Sequence, residues 1–114
     1  MNRSDDDAAQ IRKMISVALQ AEQVVARGRD LFFDEANVVE FLAGRMIVIE
    51  LDVAAERVSD DFKIAHPGPW QALARARDKF AHHYEDIDRG VVWELLEHRL
   101  PRWSAELARQ LPAR

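Results

Sequence analysis

The sequence predicts an all-α protein, an antiparallel up-and-down bundle of four to five helices in one domain spanning residues 1–114. Three observations predict it. Apolar residues return at i, i+3 and i+4 spacing from one end of the chain to the other. Turn signals are concentrated at two places, Gly28 and the segment HPGPW at residues 66–70. The connections left between patterned segments are short, which favours antiparallel neighbours. At 114 residues the chain can bury roughly two-thirds of its unfolded surface, enough for one core without staples.

The first helix is carried by Ile11, Met14, Ile15, Ala18, Leu19, Val24 and Val25. Ser4 or one of Asp5 to Asp7 is placed to cap its start, where acids suit the helix dipole, and Gly28 marks its end. The second pattern runs from about Asp34 to Ala65 through Val38, Val39, Phe41, Leu42, Met46, Ile49, Val53, Val58 and Phe62. The β-branched run Met46–Leu51 could mimic a strand. No turn signal flanks it and no proline interrupts the segment, so it reads as one long helix. HPGPW then breaks the chain, and Pro69 suits the first turn of the next helix, which runs to about Tyr84. Asp88 is the expected N-cap of a last helix from Arg89 to about Gln110, with Val92, Leu95, Leu96, Leu100, Trp103 and Leu107 as its buried stripe and Pro101 as a bend. Residues 1–5 and 111–114 are expected to fray.

Composition narrows the function. The net charge of −4 argues against coating nucleic acid by bulk electrostatics. The charge is uneven: residues 1–66 hold 8 basic against 13 acidic side chains, and residues 67–114 hold 8 against 7. A polyanion would therefore have to be met at a local site. The chain has no cysteine, which removes disulfides and thiolate chemistry and fits a reducing interior. No apolar run approaches a membrane span, so a cytoplasmic protein without membrane contact is expected.

WQALARARDKFAHHY, residues 70–84, carries the chemistry. Trp70, Leu73, Arg77, Phe80 and Tyr84 fall at spacings of 3, 4, 3 and 4, a single helical stripe with an arginine in its middle. Arg77 either snorkels to water along its methylenes or points its charge at a partner, a protein carboxylate or a ligand phosphate. Tyr84 lies seven residues on at nearly the same angle, whereas His82 lies about 140° round an ideal helix. Arg77 and His82 converge on one ligand only if the arginine reaches round, the helix loosens, or a dimer brings two such helices face to face. Asp78, four residues before His82, is placed to accept an imidazole N–H and fix the tautomer. His83 diverges from His82 by about 100° and is a poor co-ligand. No His-x-x-x-His pair occurs, Glu94 and His98 have the i, i+4 spacing usual for a surface contact, and the serines lack a triad-like setting. No metal and no cofactor are expected.

Arg77-Asp-Lys-Phe-Ala-His82-His-Tyr84 resembles the R-x4-H-x-Y motif of HepT-like toxins, in the HEPN superfamily of helical ribonucleases. The likeness extends over residues 57–111, through VSDDFKIAHPGPW and the Val92-Trp93 of the last helix, and covers the first half by helix layout. Close relatives often have Asn where this chain has Asp78, and Gly-Glu-Ala where it has Asp52-Val53-Ala54. The resemblance implies a HEPN-like bundle acting as a metal-independent endoribonuclease toxin. It further implies a homodimer with the two motifs near the interface, and an antitoxin, a minimal nucleotidyltransferase of the MNT type, that transfers AMP to Tyr84.

That chemistry is physically coherent. Metal-free RNA cleavage needs a 2′-hydroxyl deprotonated, a 5′-oxygen protonated and extra negative charge on phosphorus stabilised. Histidines titrate near neutrality and suit proton transfer, and a guanidinium matches phosphate oxygens bidentately. His82 is thus the expected general acid/base and Arg77 the phosphate clamp, with Asp78 and His83 in support and Arg75 and Lys79 as RNA contacts. AMP on Tyr84 would set a phosphate beside Arg77. Two other readings stay open from the residues: a non-catalytic nucleotide- or partner-binding subunit of a nucleotidyltransferase, and a helical scaffold in which Arg77 pairs with a carboxylate such as Asp52 or Glu56.

Overall fold

A computed structural model of the chain describes residues 3–82 and 87–111. Seven α-helices follow in order among them: α1 (Arg3–Ala26), α2 (Arg29–Phe33), α3 (Val39–Glu56), α4 (Asp60–Ala65), α5 (Trp70–His82), α6 (Arg89–Glu94) and α7 (Leu100–Gln110). A π-helical turn, Leu95–Arg99, joins α6 to α7. No strand occurs among the described residues, and the architecture is the all-α bundle the periodicity predicts. α1 packs against α3 and α7, and α3 in turn packs against α5.

The core is built from one face of each long helix. Ile11, Met14 and Ala21 of α1 meet Val48 and Leu51 of α3, Leu73 of α5, and Leu95, Leu96, Leu100 and Leu107 of the last helical run. Burying each of the larger of these side chains contributes about 1.5–3 kcal/mol. Phe32 of α2 anchors the far end, its ring 5.1 Å from Trp93 and 5.7 Å from Phe41. Gly28 ends α1 with φ 106°, a left-handed conformation that a side chain would strain. Arg89 ties α6 to the α2–α3 connection by donating to the carbonyl oxygens of Phe32, at 3.0 Å, and Asp34.

The structure corrects the reading of residues 34–65 as one helix. The chain enters α2, turns, starts α3 only at Val39, and breaks again between Glu56 and Asp60. The second break has a local cause. Ser59 caps α4 by accepting from the Phe62 N–H, while its own N–H and Oγ donate to the Asp7 carboxylate at 2.8 and 2.6 Å. Asp7 therefore holds α1 to the α3–α4 junction and does not cap α1. Asp88 does cap α6, accepting from the Gly90 N–H at 2.7 Å. The bend expected at Pro101 takes the form of the π turn before it. Proline has no N–H for the carbonyl four residues back, and a widened turn absorbs the mismatch.

Candidate functional site

α5 is positioned by what brackets it. Pro69 leads into its first turn, where its carbonyl accepts from the Leu73 N–H at 2.9 Å. The Trp70 indole N–H donates to the His66 carbonyl at 3.0 Å, and its ring meets Trp103 of α7 edge-on at 5.3 Å. Leu73 and Phe80 bury on either side of Arg77, so their stripe faces α3.

Arg77 meets acids there. Its Nη1 donates to Glu56 Oε1 at 2.7 Å and lies 3.3 Å from Asp52 Oδ2. Asp52 is buried, Glu56 is exposed, and the Arg77 side chain keeps 37% of its surface in water. Both alternatives for this arginine are thus partly realised: its charge is partnered, yet it is not sealed inside. A buried carboxylate such as Asp52 needs a cation, because an unpaired charge would cost several kcal/mol.

The other side of α5 is open. Arg75, Asp78, Lys79 and His82 are all exposed, and their spacing places them within about 100° on one face. The His82 side chain is 69% exposed. Its Nε2 stands 3.8 Å from Asp78 Oδ1, an ion-pair distance longer than the hydrogen bond expected for tautomer control. Arg77 turns to Asp52 and Glu56 while His82 stands by Asp78, in keeping with their separation of about 140° on α5. His83 and Tyr84 lie outside the described residues.

The electrostatic surroundings of the two faces differ in sign. Beyond Glu56, a cleft of about 630 Å³ is lined by Asp6, Asp7, Asp60 and Asp61 as well as Glu56, with Arg57 on its wall. Around the Pro67–Pro69 loop lie two adjoining hollows of about 340 and 330 Å³, with Arg99 lining both, Arg102 the first and Arg75 the second. Arg99 and Arg102 escaped the sequence reading. Their signal was an i, i+3 pair flanking the apolar stripe, but nothing local says that α7 lies beside the proline loop.

The remaining candidates are structural. His98 Nε2 is 2.7 Å from Glu97 Oε1 and 3.9 Å from Glu94 on the surface, and His66 stacks on Phe62 at 4.1 Å. Glu40, buried at the start of α3, accepts from Arg27 at 2.8 Å and Asn37 at 2.6 Å. The Arg27 hydrogen bond first, then that from Asn37, holds its carboxyl below the usual carboxylate range. No group of three His, Cys, Asp or Glu side chains suited to a metal ion occurs among the described residues. No described helix is long and apolar enough to cross a membrane.

Comparison with known proteins adds a family to this geometry. The model of the family described as Ribonuclease HepT-like matches residues 45–109, which include α5 and the last helical run. A candidate RNase of Methanocaldococcus jannaschii is 32% identical over 82 residues, 68% of this chain and 67% of its own length. A candidate ribonuclease HepT of Thermococcus cleftensis is 39% identical over 49 residues, 42% of this chain and 44% of its own length. A candidate RNase of Caldanaerobacter subterraneus subsp. tengcongensis is 24% identical over 92 residues, covering 77% of this chain and 81% of its own length. No solved structure matches the chain.

Proposed function

Because this chain belongs to the HepT-like ribonuclease family, we propose that it is the toxin of a bacterial or archaeal toxin–antitoxin pair, a metal-independent endoribonuclease. The observation that carries the reading is that both charged members of the R-x4-H motif reach solvent from α5, His82 at 69% and Arg77 at 37% exposure. His82 moves the proton and Arg77 clamps the phosphate. Asp78 supports His82 as an ion-pair partner, and His83 adds a second imidazole.

The two groups act together across a homodimer. The α3 face next to Arg77 supports this: Val39, Leu42 and Met46 are 64%, 43% and 54% exposed, and their spacing continues through Ile49 and Val53 to Glu56. An apolar seam exposed at Val39, Leu42 and Met46 and half-buried at Ile49 and Val53 suits a second copy of the same helix. Pairing along it sets Arg77 of one protomer beside the other's motif helix, which answers the 140° divergence within a single α5.

Silencing is assigned to an MNT-type nucleotidyltransferase that transfers AMP to Tyr84. An AMP phosphate on that side chain competes with RNA for the Arg77 guanidinium. The test is induction in cells: the wild type arrests growth, and Arg77→Ala and His82→Ala do not. Protein co-produced with its antitoxin should carry AMP on Tyr84 by mass spectrometry; an unmodified Tyr84 in fully silenced protein rejects that part of the proposal. The nearest competing reading is a non-catalytic partner subunit of a nucleotidyltransferase. Tight association with no cleavage at any protein concentration would establish it, whereas the Asp52–Arg77–Glu56 cluster is the pairing expected of a helical scaffold that uses the guanidinium structurally.

A further inference from the structure

We infer that the arginine-lined groove around the Pro67–Pro69 loop is a second phosphate-binding site, which grips the backbone of single-stranded RNA beside the segment presented to His82. The inference rests on the ribonuclease reading for the identity of the polyanion, and on the groove itself for the site. Arg99 is shared by the two hollows on either side of the loop, with Arg102 beside it in one and Arg75 in the other. All three are exposed, and none has an ion pair or side-chain hydrogen bond among the described residues. Glu106, the carboxylate at the rim, pairs with Arg109. The two hollows that share Arg99 thus present three guanidiniums with no carboxylate partner among the described residues, and phosphate is an anion their planar donors match.

The loop is built to keep the groove open and close to α7. A Cβ on Gly68 would fall 2.3 Å from the Trp103 indole nitrogen, so the backbone there lies directly on the ring and leaves no room for a side chain. Pro67 and Pro69 fix the loop without adding backbone donors or charge. The π turn ending at Arg99 re-registers the helix just before Arg99 and Arg102, while Leu100, Trp103 and Leu107 stay buried.

A track leads from the groove to the motif. Arg75 lies seven residues before His82, on the same face of α5 and about 10 Å along its axis, with Lys79 between them. That distance is of the order of one to two backbone phosphates. The cleft beyond Glu56, lined also by Asp60 and Asp61, is acidic and repels a polyanion. RNA therefore enters over Arg99, Arg102 and Arg75 and reaches His82 by way of Lys79. A phosphate contact positions a strand without reading its bases, so the groove sets affinity and register but not sequence.

The test is fluorescence anisotropy of a labelled single-stranded RNA with full-length protein carrying His82→Ala, so that binding is read without cleavage. Adding Arg99→Gln and Arg102→Gln should weaken binding about tenfold and lower the slope of log affinity against log salt by about 1.4, the release expected from two phosphate contacts on a single strand. The charge-matched pair Arg12→Gln and Lys13→Gln on α1, which line neither hollow, should change affinity less than twofold. Equal losses in the two pairs, an unchanged affinity and slope in the groove variant, or no RNA binding by any form would overturn the inference. If the wild type cleaves no RNA but the groove variant still loses affinity selectively, the nuclease reading fails and the phosphate site stands.

Discussion

Two faces of one helix are built in opposite ways. The α3-facing side of α5 sets Arg77 between Leu73 and Phe80, which are buried, and against Asp52 and Glu56, so its charge is compensated before any ligand arrives. The outer side sets out Arg75, Lys79 and His82 with only the exposed Asp78 near the imidazole. The first face is coupled to folding, and the second is open to a ligand. A phosphate at Arg77 must displace or share with Glu56, the exposed member of its pair of acids, while Asp52 stays fixed from below. On the proposed mechanism this difference separates positioning of charge from transfer of protons. Variants on the two faces should therefore behave differently.

The largest expected effect is on the open face. His82→Ala should slow RNA cleavage by about 10²–10⁴-fold while leaving the melting temperature unchanged, since the side chain is mostly in water. A variant that unfolds more easily would place His82 in the structural class instead. Next comes Arg77→Met, which leaves Asp52 buried without its cation. It should destabilise the fold by about 1–3 kcal/mol in urea unfolding, less than the 3–5 typical of a fully buried pair because Arg77 is more than a third exposed. Adding Asp52→Asn to Arg77→Met should recover most of that loss, and no recovery would mean that packing of the arginine stem dominates. Asp78→Asn should change cleavage by at most about fivefold, the reach of an exposed ion pair at 3.8 Å.

The smallest effect lies away from α5 and is a matter of pH. Glu40 has a folded-state pKa held below its ordinary value of 4.5, so its contribution to stability is present above that value and is lost as the pH falls through the folded pKa. Melting temperatures of wild type and Glu40→Gln should converge on acidification below pH 4.5. Parallel curves would show that the Arg27 and Asn37 hydrogen bonds do not depend on the carboxylate charge.

How much of this could be seen without coordinates varied along the chain for physical reasons. In the last helical run all six residues of the anticipated stripe, Val92, Leu95, Leu96, Leu100, Trp103 and Leu107, are buried, because that run has one apolar face and one polar face. In α3 the apolar residues spread around most of the helix. Phe41, Val48 and Leu51 turn inward, and Val39, Leu42 and Met46 stay out. Periodicity cannot choose between two apolar faces; contacts from α1 and α5 do. Leu19 of α1 is outside for the same reason. The stripe position of Arg77 and the divergence of His82 followed from helical angles alone. Which acid met the arginine depended on the register of α3 against α5, a non-local quantity. The break at Ser59 depended on Asp7, 52 residues earlier in the chain.

The account is tested most directly by incubating purified protein with single-stranded RNA in the presence and absence of EDTA, wild type beside His82→Ala. It predicts cleavage that is unaffected by the chelator in the wild type and slowed at least about a hundredfold in the variant. Cleavage that stops on chelation, or that proceeds equally without the imidazole, would contradict it.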